Sequence, residues 1–241
     1  LSESESTSDY TVKANDAGSN ITILALHGGG IERGTSELVE ALEERGKYNT
    51  YFFEGLKPAG NGSLFIKAID FDEPTAVSIV KKSDYTLSVI GASGNDEVTY
   101  VGGQNRLLAE VIRLHLLTEG YKVKTLNIPD RIAGVMDSNI VNKNKLLDGE
   151  YQIGGVQIAV SKGLREELMS DVCLLNDYSC SVHKALSKSW PVIVSQLEGI
   201  TETGKVASKG FSARNGLDKK INDILKKNAK TPNELIRNIG E

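Results

Sequence analysis

Histidine and cysteine are scarce in this 241-residue chain, at three and two residues. Three histidines, His27, His115 and His183, limit any imidazole-rich metal centre before its position is considered. The two cysteines, Cys173 and Cys180, lie seven apart. On one helix that spacing separates them by about 10 Å of rise, too far for a disulfide. Two semi-buried thiols are expected unless Asn176-Asp177 breaks the helix. Long apolar runs are missing as well: none approaches the roughly 18 residues that span a bilayer, which excludes an integral helical membrane protein. Strong charge of one sign is also lacking. A net charge of −4 argues against a global nucleic-acid binder.

What is present is ordinary for a globular protein, with 39% hydrophobic and 25% charged residues and enough length for one sizeable core. The charge is uneven. Residues 201–241 carry 9 Lys and Arg against 5 Asp and Glu, net +4, which leaves residues 1–200 at −8. The chain opens Leu-Ser-Glu-Ser-Glu-Ser without methionine, from which removal of a leading segment is expected. Residues 1–19 read as a disordered or loosely attached start, 20–200 as an α/β domain, and 201–241 as a linker with a basic helical extension.

Strand and helix signals alternate through the middle of the chain. Apolar strand runs are expected at Ile21–Leu26, Tyr51–Phe53, Ser63–Ile69, Tyr85–Ile90, Val98–Val101, Lys122–Leu126 and Val156–Ser161. Helical periodicity is expected over Thr35–Arg45, Glu73–Lys82, Gln104–Glu119, Gly163–Met169 and Ser179–Leu197, the last kinked at Pro191. Ile128–Tyr151 reads as loop. This order predicts an open, mixed, largely parallel sheet with helices on both faces.

The richest stretch is Ile21–Glu37, ITILALHGGGIERGTSE. A buried strand ends in His27, three glycines follow, and Thr35, Ser36 and Glu37 open a helix. Ligands of open α/β sheets bind at such a junction. His27 and Glu32 lie five apart across flexible backbone, so an imidazole and a carboxylate can converge there. That is two thirds of a His/Glu/His zinc site. Gly28 and Gly29 suit backbone that passes close to a ligand or takes positive φ.

HGGGIERGTSE, taken with Tyr100–Asn105 (YVGGQN), Asn139–Asn144 (NIVNKN) and Gly155–Glu166 (GVQIAVSKGLRE), resembles the phage-type poly-γ-glutamate hydrolase family over residues 20–190. The resemblance implies a zinc-carboxypeptidase-like α/β fold, with zinc held by the counterparts of His27 and Glu32. It also implies a third ligand, a histidine, where this chain has Ile90, and a general-base glutamate where it has Ala159. An Asn-Arg pair resembling the substrate-carboxylate grip of carboxypeptidases reads Asn142-Lys143, and lysine lacks the bidentate fork. Isoleucine cannot ligate and alanine cannot accept a proton. The expectation is therefore a weak or inactive homologue with little or no zinc, holding an acidic γ-glutamyl polymer or a protein partner. Arg131, Arg165 and Lys143 are the expected anion contacts. The family's extracellular substrate implies secretion or phage release, with the cytoplasm as the alternative.

Two rival readings are enzymatic. An active metallohydrolase would need a remodelled site that recruits His183 or Asp96. His115 is expected at the core edge, beside the apolar face of its helix. A serine hydrolase would use Ser161 of AVSKG, with Asp177 and His183 following in triad order. The plainer use of Ser161 is as a helix N-cap.

Overall fold

The computed structural model of the protein describes residues 8–145 and 153–195. Seven strands form one sheet: β1 (Tyr10–Asn15), β2 (Ile21–Gly29), β3 (Asn49–Gly55), β4 (Tyr85–Ala92), β5 (Thr99–Gly103), β6 (Val123–Lys124) and β7 (Val156–Ser161). Their spatial order is β1-β3-β2-β4-β7-β5-β6. The β3-β2-β4-β7 centre is parallel throughout, while β1 on β3 and β5 on β7 are antiparallel. The expected mixed, largely parallel sheet is what the chain builds.

Helices cover both faces. Leu38, Leu42, Leu108, Ile112, Leu164, Tyr178 and Val182 pack on Ile23, Ala25, Leu87, Val89, Ile158 and Val160 to form the larger core. They come from α1 (Thr35–Glu43), α3 (Arg106–Thr118), α5 (Lys162–Ser170) and α6 (Val172–Lys184). The opposite face buries Leu24, Leu26, Ile90 and Ala159 beneath Ala76, Ile79, Val80 and Ile132, from α2 (Pro74–Lys82) and the short α4 (Asp130–Ala133). Burial on both faces explains why the central strands read as continuous apolar runs.

Several expectations need correction. Tyr10–Asn15 is an edge strand in register with β3, with Tyr10 and Val12 packed on the second core and Lys13 paired to Glu54 at 2.8 Å. That part of residues 1–19 is therefore firmly attached. Residues 63–69 are no strand: Asn61–Leu64 forms a 3-10 turn, and the chain beyond it closes over the second core. Ile128–Tyr151, expected as loop, carries α4 and a 3-10 turn at Ile140–Asn142 before the described residues break off at 145. The late helix begins at Val172, and Asn176-Asp177 does not interrupt it. Cys173 and Cys180 therefore share α6 as free thiols, Cys173 exposed and Cys180 half-buried. The distortion precedes Pro191: Ala185–Ser189 is a π turn. Proline has no N–H to donate to the carbonyl four residues back, and the wider turn falls where that bond is missing. The extension at 201–241 lies outside the described residues.

Candidate functional site

The carboxyl ends of β2 and β4 are where the sheet changes direction, since β3 lies on one side of β2 and β4 on the other. Loops leaving two such strands diverge and open a crevice. His27 stands at the end of β2, where the pairing with β3 shifts register between Ala25 and Gly28. Up to that bulge, Leu24 and Leu26 face the second core while Ile23 and Ala25 face the first. The bulge re-aims the next residue. The His27 ring stacks on Phe65 at 4.3 Å, and its Nε2 lies 2.7 Å from the carbonyl oxygen of Ile66, a residue packed on the second core.

The glycine corner is fixed by its own backbone. The Glu32 N–H donates to the His27 carbonyl at 2.8 Å, and the Thr35 hydroxyl donates to the carbonyls of His27 (3.1 Å) and Glu32 (2.9 Å). Gly29 has φ +59°, and a Cβ there would sit 2.5 Å from the Gly55 carbonyl oxygen. One at Gly28 would strike the Ser36 hydroxyl. These two glycines let β2 and β3 approach, so their use is structural.

The turn delivers Glu32 onto His27, with Oε2 2.7 Å from Nδ1 and also accepting the Gly91 N–H at 2.5 Å. Both ring nitrogens of His27 thus face oxygen acceptors. Ile90 and Ala159 are register partners on β4 and β7, and both side chains join the second core on the face His27 turns toward. Arg165, near the start of α5, donates from Nε to the Val160 carbonyl at 3.1 Å and from Nη1 to the Arg33 carbonyl. Burial pulls the Arg165 pKa below the ordinary arginine value, and the Glu32 charge opposes that shift.

His27, Glu32, Ile90, Ala159 and Arg165 therefore gather at the carboxyl ends of β2, β4 and β7. Arg131 reaches the same edge of the sheet and donates to the Ser93 hydroxyl at 2.7 Å. Asn142 is buried, with its amide donating to the Gly134 (2.7 Å) and Met136 (2.9 Å) carbonyls and its oxygen accepting the Gly155 N–H at 3.0 Å. It ties loops together rather than presenting donors to a ligand. Lys143 follows it, half-buried at the end of the 3-10 turn.

The serine-hydrolase constellation does not assemble. The Ser161 hydroxyl caps α5, accepts the Val98 N–H at 3.0 Å and donates to the Asp96 carbonyl at 2.5 Å. His183 sits on α6 between the Tyr48 hydroxyl (2.8 Å) and the Ser187 hydroxyl (3.2 Å). Its ring nitrogens meet these groups and not Ser161. The Asp96 side chain is exposed in the loop after β4. His115 is buried against the Ser189 hydroxyl at 2.8 Å, the core-edge role its spacing predicts. Phe65 and the Ile66 carbonyl escape sequence reasoning, because they close on His27 from a segment whose pattern reads as strand.

The model of the poly-γ-glutamate hydrolase family matches residues 1–186. The chain belongs to this family. It is 39% identical over 169 residues to UPF0714 protein YndL of Bacillus subtilis (strain 168), covering 70% of this chain and 64% of YndL. It is 40% identical over 144 residues to SPbeta prophage-derived UPF0714 protein YoqZ of the same strain, covering 60% of this chain and 52% of YoqZ. The chain thus spans less than two thirds of either relative. Among solved structures, a bacteriophage poly-γ-glutamate hydrolase superposes with a TM-score of 0.70 at 26% identity, covering 78% of this chain and 93% of that one. YndL, solved in a form described as apo and zinc-free, gives 0.70 at 34% identity, with 78% and 94% covered.

The family is thereby linked to zinc, and the donor set decides whether the corner suits it. A catalytic zinc takes three protein ligands and leaves one position for water. Here one imidazole and one carboxylate converge, and both nitrogens of the imidazole are engaged. Among the described residues no group of three His, Cys, Asp or Glu side chains is placed to hold a metal ion. The residues present do not fit a catalytic zinc.

Proposed function

We propose that this chain is a poly-γ-glutamate-hydrolase-family protein whose hydrolytic centre has been replaced by a packed corner. Its role is to hold an acidic γ-glutamyl chain, or a protein partner of similar acidity, at the carboxyl edge of the sheet. The observation that carries this reading is the Ile90–Ala159 pair. The two residues are neighbours in register, and they stand where the family resemblance puts the third metal ligand and the general base. Hydrolysis of an amide by a zinc-bound water needs both groups. Removing the base alone costs about 10²–10⁴-fold. Two donors hold zinc far more weakly than three. Arg131 and Arg165 on the same edge supply cationic groups for a carboxylate-bearing ligand.

Metal content and polymer chemistry test the reading together. The purified full chain, equilibrated with zinc and desalted, should retain well under one zinc per protein, and it should release no γ-glutamyl products from poly-γ-glutamate. It should still bind the polymer in a salt-sensitive manner. Stoichiometric zinc with turnover would overturn the proposal in favour of a remodelled active site, and absence of polymer binding would remove the γ-glutamyl ligand.

A further inference from the structure

Ile90, Ala159, Tyr100 and Lys124 are successive register partners on β4, β7, β5 and β6. Register partners across a sheet point to the same face, and Ile90, Ala159 and Tyr100 all pack on the second core. One row of side chains therefore runs from β4 to the last strand of the sheet, and it ends in a cation. The exposed Lys124 ammonium lies over the half-buried Tyr100 ring, 5.7 Å from its centroid. That distance is within cation–π range. Among the described residues Lys124 forms no ion pair.

Arg131 stands on the same face. It belongs to α4, whose Ile132 packs in the second core, and it reaches Ser93 just past the end of β4. In the order β4-β7-β5-β6, the first and last strands are three spacings apart, about 14 Å. A cationic side chain thus stands at each end of that span, with an aromatic ring on β5 between them. The other face has the opposite charge. Glu97, Glu119, Glu167 and Asp177, with Lys122 among them, line a cavity beside Leu164 and Leu174 on the first-core side. This segregation draws an acidic chain to the second-core face and repels it from the other. Ala159 adds no charge between the two cations, because it puts only a methyl beside Tyr100, where the family resemblance places a carboxylate.

We infer that Lys124, seated on Tyr100, is a second carboxylate subsite at the β6 edge, and that with Arg131 it selects an acidic chain by length. This rests on the proposed reading that the edge holds a γ-glutamyl chain. Each γ-linked glutamate carries one free α-carboxylate and adds about 6 Å of extended backbone. Carboxylates two or three residues apart therefore match the span. A short ligand meets one cation. A longer one meets both, and its second contact is intramolecular once the first is made. The ring holds the lysine in place, so less side-chain freedom is lost on binding.

Isothermal titration of the full chain with γ-linked diglutamate and hexaglutamate tests the subsite. At low ionic strength the wild-type chain should bind the hexamer more tightly than the dimer. Lys124→Met keeps an apolar stem on the ring and should weaken the hexamer by about two- to fivefold. It should also remove most of the hexamer's advantage over the dimer and flatten its salt dependence. Lys124→Arg should restore both, since a guanidinium keeps the charge and stacks on the ring. Urea midpoints of the variants should match wild type, because Lys124 is exposed. Equal hexamer affinity in wild type and Lys124→Met, or no preference for the hexamer in wild type, would overturn the subsite alone. A wild-type chain that binds neither ligand would sink the γ-glutamyl reading and the subsite with it.

Discussion

At the scale of single residues, the crevice divides into positions whose type could be read from the sequence and positions whose surroundings could not. His27 and Glu32 were legible, because a strand ending in HGGGIE can bring its two functional side chains to only one place. Asn142 was not. Its residue type and its neighbour suggested a carboxylate grip, yet the amide bonds the Gly134 and Met136 carbonyls and the Gly155 N–H. No local pattern announces that the loops it joins lie so close. Asn142→Ala should therefore act on stability. Three backbone groups lose a buried partner, at a cost of about 2–3 kcal/mol in urea unfolding. A variant that instead kept wild-type stability and lost polymer binding would return Asn142 to the ligand side. Gly91→Ala is a second test at this scale. Its Cβ would strike Glu32 and Arg165, so both must move. The loss should be about 1–3 kcal/mol by overpacking, read from the same titrations.

At the scale of elements, hydrophobic period found β2, β4, β7 and α3 because each buries a whole face or a helical stripe. It failed at residues 63–69, where apolar side chains serve a loop that closes over the second core. At the late helix, the irregularity expected at Pro191 takes the form of a π turn just before it. That turn carries two serines, each bonded to a histidine: Ser189 to His115 on α3, and Ser187 to His183 on α6. Burial, with Lys184 beside it, depresses the pKa of His115, against a smaller opposing effect of Glu119. Burial, Arg45 and Lys188 depress that of His183. Both histidines are thus held neutral in the fold, while the unfolded chain binds protons near pH 6.5. Below that value the unfolded state takes up protons that the folded state refuses, so stability should be full above pH 6.5 and fall as the pH drops toward the depressed values. Urea midpoints between pH 7.5 and pH 5 should show this decline. His115→Gln should flatten it, and an unchanged slope would show that this contact does not carry it.

At the scale of the whole molecule, two cores back to back on one sheet fix the crevice. The first core packs on one face of β2, β4 and β7, and the second takes in Ile90 and Ala159 on the other. The sequence carried this architecture through its alternation of elements. It did not reveal that Tyr10–Asn15 completes the sheet, because a short, half-polar edge strand resembles a polar tail. On the proposed reading, the architecture offers a direct test of metal binding at Ile90 and Ala159. Ile90→His with Ala159→Glu places a third donor and a base on adjacent strands in register. A ligand that binds only the folded state stabilises it by RT ln(1 + [L]/Kd), about 2.7 kcal/mol at a hundredfold excess over Kd. In a chain of this size that raises the melting temperature by roughly 5–10 °C. The wild-type melting temperature should therefore be indifferent to zinc and to chelator, whereas that of the double variant should rise with zinc and return with chelator. A double variant that folds yet ignores zinc would show that Ile90 and Ala159 are not the positions where the centre was lost.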